Sequence, residues 1–352
     1  MKKYIINGGV PLKGEVEING SKNAALPILA ATLLTEDCCK IFNVPNLLDI
    51  SNMCELLTCL GGSINTTKNV YEVYAKDLQS DVMSYETVNK LRASFLVVGP
   101  LLARTGRVKI SLPGGCQIGA RPVDLHLKGF MAMGAKIEKG HGYVEAVCPR
   151  LKGAKIYLDF PSVGATENVM MAAALLKGTT YIHNAAREPE IEDLQRFINA
   201  MGGKIRGAGT QLIEIEGVPT LHGITYRPMP DRIVAGTLLC AAAITGGEVT
   251  LKHVCPRDLI PVEAKLTEMG CRMYDEENRV HLTAPKVLKA FSSLQTQPHP
   301  GFPTDMNPQA AVTLCLAHGT STLKDTVWPN RFKYVDELKR MGANIQVDDK
   351  TA

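Results

Sequence analysis

Five times in this chain a large apolar residue is followed by glycine, a short spacer and a second apolar residue. The copies are Leu60-Gly61-Gly62-Ser63-Ile64, Met133-Gly134-Ala135-Lys136-Ile137, Met201-Gly202-Gly203-Lys204-Ile205, Met269-Gly270-Cys271-Arg272-Met273 and Met341-Gly342-Ala343-Asn344-Ile345. They lie 73, 68, 68 and 72 residues apart. A second landmark keeps step: a glycine that opens a strand, at Gly106, Gly178, Gly247 and Gly319. Repetition at this period means one supersecondary unit used several times, its apolar face buried against its neighbours. Each copy reads as an Ala/Leu-rich helix, a short strand, an amphipathic helix with apolar residues at helical spacing, and two closing strands. With an opening strand this is a β–α–β–α–β–β unit. The landmark glycine ends the amphipathic helix as a C-cap. The first helix is almost wholly apolar, as in Ala24-Ala25-Leu26-Pro27-Ile28-Leu29, and should lie inside a domain with sheets and amphipathic helices around it. The fifth copy ends at Ala352 without its second closing strand. Six copies would divide evenly into two domains of three, so a further repeat is expected beyond this chain.

At 352 residues the chain exceeds what one hydrophobic core supports, and two domains are expected. A net charge of +4 with no basic patch among aromatics excludes a nucleic-acid partner and suits small anionic substrates. The start reads as no signal peptide, and no apolar run reaches membrane-spanning length. The ten cysteines are scattered, with one adjacent pair (Cys38, Cys39) and no C-x-x-C. That pattern fits free thiols in a reducing cytoplasm and excludes a zinc site. Neither a Walker loop nor a G-x-G-x-x-G is present. Nothing in the sequence fixes an oligomeric state.

Chemistry concentrates at the polar exceptions to the repeat. Pro113-Gly114-Gly115-Cys116-Gln117-Ile118-Gly119-Ala120-Arg121 follows a strand-like alternation and precedes a helix expected from Pro122. Its glycines let backbone approach a ligand closely, and a thiol beside an arginine and a helix N-terminus becomes reactive. An ordinary connector with a chance cysteine is the competing reading. Lys22-Asn23, Arg92, Ser162-Val163-Gly164-Ala165-Thr166, Asp231-Arg232 and Asp305 stand at or in the apolar helices of successive copies. Charge there is costly in a core and better placed facing a cleft. A second set, Arg121, Arg187, Arg257 and Arg331, begins the amphipathic helices.

These motifs resemble one family. Gly20-Ser21-Lys22-Asn23-Ala24-Ala25-Leu26-Pro27, Leu91-Arg92-Ala93-Ser94, the run from Leu112 to Leu125, Ser162 to Thr166, Ala186-Arg187-Glu188-Pro189-Glu190, Pro230-Asp231-Arg232, Phe302-Pro303-Thr304-Asp305-Met306 and Asn330-Arg331-Phe332 are similar, in order and from end to end, to the UDP-N-acetylglucosamine 1-carboxyvinyltransferases. The resemblance implies a two-domain inside-out α/β barrel of repeated βαβαββ units, the enolpyruvyl transferase fold, with the sixth unit missing here. Domain one would be residues 1–21 plus 230–352, and domain two 22–229 with the Cys116 loop, around an interdomain active site. The implied reaction moves the enolpyruvyl group of phosphoenolpyruvate to the 3-hydroxyl of UDP-N-acetylglucosamine, releasing phosphate, in the first committed step of peptidoglycan synthesis. It needs no metal and no cofactor, and would run in the cytoplasm.

The resemblance also implies roles. Asp305 would be the base on the sugar hydroxyl; as N-cap of a helix starting at Met306 it would have a structural task instead, or both. Cys116 would protonate phosphoenolpyruvate and take the alkylating drug fosfomycin. Lys22 and Arg121, with Asn23 and Arg331, would hold phosphoenolpyruvate. Arg92, Arg121, Pro122, Val123, Asp124, Leu125, Ser162, Val163 and Gly164 would hold the UDP part, and Val327 would touch the sugar nucleotide. The family's Asp-Leu-Arg motif of the last repeat is not in this sequence, so the 352-residue piece is expected to be inactive and poorly soluble by itself. Two other readings are a sister enzyme acting on shikimate 3-phosphate and a degenerate sugar-nucleotide-binding protein without catalysis.

Overall fold

The landmark glycines end their helices by one repeated pair of hydrogen bonds. The computed structural model of the protein describes residues 5–79, 93–112 and 123–352. Gly61, Gly134, Gly202, Gly270 and Gly342 all take left-handed backbone, with φ between 93° and 98°. Gly202 N donates to Asn199 O at 3.0 Å and Gly203 N to Ile198 O at 2.9 Å; Gly61 and Gly62, and Gly270 and Cys271, repeat the pair. This is the Schellman closure, and its left-handed residue is why glycine recurs.

The first copy contains β1 (Lys13–Glu17), α1 (Lys22–Ala31), β2 (Cys39–Ile41), α2 (Leu48–Cys59), β3 (Ser63–Thr67) and β4 (Val70–Tyr74). The described part of the second holds α3 (Val98–Thr105), β5 (Arg107–Ser111), α4 (Asp124–Ala132), β6 (Lys136–Lys139) and β7 (Tyr143–Val147). The third is β8 (Lys155–Tyr157), α5 (Val163–Ala173), β9 (Thr179–His183), α6 (Pro189–Ala200), β10 (Lys204–Arg206) and β11 (Leu212–Glu216). The fourth is β12 (Thr225–Tyr226), α7 (Arg232–Ile244), β13 (Glu248–Lys252), α8 (Ile260–Glu268), β14 (Arg272–Glu276) and β15 (Arg279–Thr283). The fifth holds β16 (Ser293–Gln295), α9 (Asn307–Leu314), β17 (Thr322–Lys324) and α10 (Val335–Arg340). The helix expected from Pro122 begins at Asp124, with Val123 at its N-cap, and Pro122 lies outside the described residues. After α10 the chain turns back to β17, where Leu323 and Ala352 exchange two backbone hydrogen bonds of 2.7 Å.

The described residues form two units. One comprises residues 19–79, 93–112 and 123–229. Its sheets run β12-β2-β4-β3, β5-β7-β6 and β10-β11-β9-β8. Strands alternate inward and outward: Ile213 and Ile215 of β11 are fully buried and Leu212 is exposed. The interior is α1, α3 and α5, where Ala24 to Ala31 and Ala165 to Ala173 are buried. Ile28, Leu29, Val169 and Met171 are wholly inaccessible to solvent. Full burial of such a side chain contributes about 1.5–3 kcal/mol, which holds helices too short to be stable alone in water. The other unit comprises residues 5–18 and 230–352, with sheets β1-β13-β15-β14 and β16-β17 around α7 and α9.

Two opening strands are exchanged. β1 pairs in parallel with β13 of the fourth copy, and β12, at the head of that copy, pairs in parallel with β2 of the first. This exchange makes one unit discontinuous in sequence. The return segment is fixed by Asp193, which is buried and accepts from Tyr226 Oη at 2.7 Å and Met229 N at 2.9 Å. Met229 O in turn accepts from Ser21 N at 2.7 Å, just ahead of α1.

Candidate active site

In the unit of residues 19–229, the polar motifs sit at the starts of apolar helices because those starts need caps. Ser21 Oγ accepts from Ala24 N, and Ser162 Oγ accepts from Ala165 N, both at 3.3 Å. Lys22 and Asn23 therefore open α1, and Val163 and Gly164 open α5. Lys22 Nζ lies 3.0 Å from Asp49 Oδ2 on α2, a half-exposed pair that the sequence did not suggest. The first turn of α5 presents backbone N–H groups and the positive end of an eleven-residue helix, a setting that favours an anion. Val123 is nearly buried, Leu125 is partly buried, and Asp124 Oδ1 makes an exposed pair with Lys139 at 3.0 Å. Arg92, Cys116, Arg121 and Pro122 lie outside the described residues.

Behind these motifs stands a network that sequence reasoning missed. Asn168 Oδ1 accepts from Gly99 N at 2.6 Å, so its Nδ2 is the donor, to Phe95 O at 2.7 Å and to His126 Nδ1 at 3.0 Å. Nδ1 is thus the acceptor, and the neutral ring carries its proton on Nε2. The Cε1–Nε2 edge of the ring packs beside Gly164: a methyl placed there would lie 3.2 and 3.4 Å from those atoms. Phe95 meets the ring edge-on with centroids 5.1 Å apart. Burial pushes the His126 pKa down to about 4. Asn168 and this imidazole together so join α3, α4 and α5. Close by in sequence, burial and then the charges of Glu190 and Glu188 push the Glu167 pKa well above the usual carboxylate range.

In the unit of residues 5–18 and 230–352, Asp231 caps α7, accepting from Ile233 N at 2.9 Å and Val234 N at 3.0 Å. Asp305 does not cap α9. It lies in a single 3-10 turn, Thr304–Met306, and Met306 takes the cap position without a side-chain bond. Its Oδ1 instead receives Arg331 Nη2 at 2.9 Å; Arg331 is 10% and Asp305 48% exposed at the side chain. A half-exposed carboxylate held from one side by a sheltered guanidinium keeps a face to solvent, which a proton acceptor requires. Val327, partly buried, donates its N–H to Asp325 Oδ1 at 3.0 Å. The structure thus brings Asp305, Arg331 and Val327 together, and separately Lys22 with Asn23 and Ser162 with Val163 and Gly164. Among the described residues no group of His, Cys, Asp and Glu could hold a metal ion, and no helix is long and apolar enough to cross a membrane.

Residues 6–352 match the family model of EPSP synthase (3-phosphoshikimate 1-carboxyvinyltransferase). UDP-N-acetylglucosamine 1-carboxyvinyltransferase 2 of Carboxydothermus hydrogenoformans is 51% identical over 354 aligned positions, covering 100% of this chain and 84% of that protein. UDP-N-acetylglucosamine 1-carboxyvinyltransferase 1 of Caldanaerobacter subterraneus subsp. tengcongensis is 50% identical, covering 99% and 84%. Among solved structures, the enolpyruvyl transferase NikO from Streptomyces tendae aligns with a TM-score of 0.87 at 22% identity, over 98% of this chain and 82% of that one. EPSP synthase from Acinetobacter baumannii aligns with a TM-score of 0.73 at 20% identity, over 99% and 82%. The architecture is therefore the α/β enolpyruvyl transferase fold. With residues 6–352 inside the family model and half its residues shared with those two relatives, the chain belongs to the EPSP synthase family and, within it, to the UDP-N-acetylglucosamine 1-carboxyvinyltransferases.

Proposed function

We propose that this protein transfers the enolpyruvyl group of phosphoenolpyruvate to the 3-hydroxyl of UDP-N-acetylglucosamine and releases phosphate. The observation that carries the reading is about half identity, along the entire chain, to proteins named for that sugar nucleotide. Asp305 takes the hydroxyl proton, with Arg331 holding one of its oxygens. The freed oxygen attacks C2 of phosphoenolpyruvate while Cys116 delivers a proton to C3. The tetrahedral adduct then loses phosphate from C2 and a proton from its C3 methyl group, and the enol ether forms with that proton returned to the Cys116 thiolate. Lys22, Asn23 and Arg121 hold the phosphate and carboxylate of phosphoenolpyruvate. The N-terminus of α5, with Ser162, Val163 and Gly164, and Arg92 with residues 121–125 hold the UDP part, the backbone N–H groups suiting its diphosphate. Val327 contacts the sugar. The strand exchange supports domains of residues 1–21 plus 230–352 and 22–229. Nine described cysteines without a disulfide support a reducing, cytoplasmic setting.

The test uses the protein as the cell makes it, with both substrates, following phosphate release and the product mass. Asp305→Asn should lower kcat by about 10²–10⁴-fold, the usual worth of a positioned base. Phosphate release with shikimate 3-phosphate in place of the sugar nucleotide would favour the sister activity instead.

A further inference from the structure

We propose that Asp325 is a positioning residue for this reaction: its buried carboxylate locks the turn bearing Asp305 to the segment bearing Val327 and Arg331. The inference rests on the reading of Asp305 as the base. Asp325 follows β17 and is 0% exposed. Its Oδ2 accepts from Thr304 Oγ1 at 2.8 Å and Asn307 Nδ2 at 3.1 Å. Its Oδ1 accepts from Val327 N at 3.0 Å and Trp328 N at 2.8 Å. Thr304 and Asn307 bracket Asp305; Val327 and Trp328 lead into Arg331. The Asp305–Arg331 pair at 2.9 Å closes the ring of contacts.

Two further bonds fix the parts. Tyr334 Oη donates to Asn307 Oδ1 at 2.6 Å, which leaves the Asn307 amide nitrogen to face Asp325. Thr326 Oγ1 donates to Thr296 O at 2.6 Å and ties the segment to the chain just after β16. Four donors converge on one side chain, and only an acceptor-only group satisfies them all. An amide of the same shape would turn an N–H₂ group on two donors and leave buried groups unmatched. Asp305 itself has neither a helix cap nor deep burial to orient it, so its aim depends on this joint.

The experiment compares Asp325→Asn, Thr304→Val and Asp305→Asn with the parent protein. Thr304→Val removes one bond, keeps the side-chain shape, and decides the matter if Asp325→Asn does not fold. With both substrates saturating, kcat should fall about a hundredfold in Asp325→Asn, the effect of an ångström-scale misplacement, and about tenfold in Thr304→Val. Affinity for UDP alone, which engages the other unit, should stay within twofold. The chain's single tryptophan, Trp328, sits on the released segment, so acrylamide should quench it more readily in Asp325→Asn. A folded Asp325→Asn or Thr304→Val protein with parent kcat would overturn the inference, as would unchanged quenching in Asp325→Asn. If Asp305→Asn also kept parent kcat, the base assignment would be at fault; a large loss there beside an active Asp325→Asn protein would sink this inference alone.

Discussion

His126 shows how one side chain carries both packing and charge. Its pKa is pushed down to about 4 by burial, from an ordinary value of 6.5. Above pH 6.5 the ring is neutral in folded and unfolded chains alike and costs nothing. As pH falls toward 4 the unfolded chain takes up the proton and the folded one does not, so stability is lost through that window. A difference of this size corresponds to about 3 kcal/mol. The His126 ring proton signal of the folded protein should titrate with a midpoint near 4 in NMR spectra, and a midpoint near 6.5 would contradict the enclosed, Nε2–H ring described above. At this scale the sequence was legible where function leaves a local mark. Lys22-Asn23 and Ser162 to Gly164 stand out because polar residues interrupt apolar helices. His126, Asp49 and Asp325 left no mark, because the partners that give them meaning are distant: Asn168 lies 42 residues from His126 and Lys22 lies 27 from Asp49. Asp305 was misread as a possible cap for a similar reason, since Arg331, which claims its carboxylate, is 26 residues away.

At the scale of elements, the helix endings were the most legible feature of all. A left-handed residue after each amphipathic helix admits glycine and strains almost anything else, so the requirement is written into the sequence at every copy. Gly202 tests this. Its φ is +97°, and an added methyl would lie 3.4 Å from the His222 ring, an ordinary contact. The cost of Gly202→Ala is therefore one of backbone conformation, about 1–2 kcal/mol, and should appear as a lower urea midpoint with an unchanged slope. A midpoint equal to that of the parent would mean the closure tolerates side chains. The exchange of β1 and β12 was not legible from periodicity. Lys13 pairs with Glu248 and Thr225 with Lys40, and the alternation of a short strand is the same whichever neighbour it takes.

Across the whole molecule the two units are unequally buried. In the unit of residues 19–229 the interior helices are covered almost completely, as Ala24, Leu29, Val169 and Met170 show. In the unit of residues 5–18 and 230–352, β1 is exposed along its full length, and even in the interior helices Val234 of α7 and Val312 of α9 are 46% and 36% exposed. Apolar area left in water contributes nothing to stability, so the second unit has less to hold it together per residue ordered. It should open at a lower temperature than the first. The sequence supplies the probe: Trp328, the sole tryptophan, lies in that unit, while helix and strand content report on both. Heating the protein should move the Trp328 emission maximum to longer wavelength roughly 5 °C or more below the midpoint of the circular-dichroism transition at 222 nm, a gap equivalent to about 1–2 kcal/mol between domains of this size. Coincident transitions by the two probes would show that the exposed face of the second unit is no weakness, and that the strands exchanged in sequence order make the chain unfold as one.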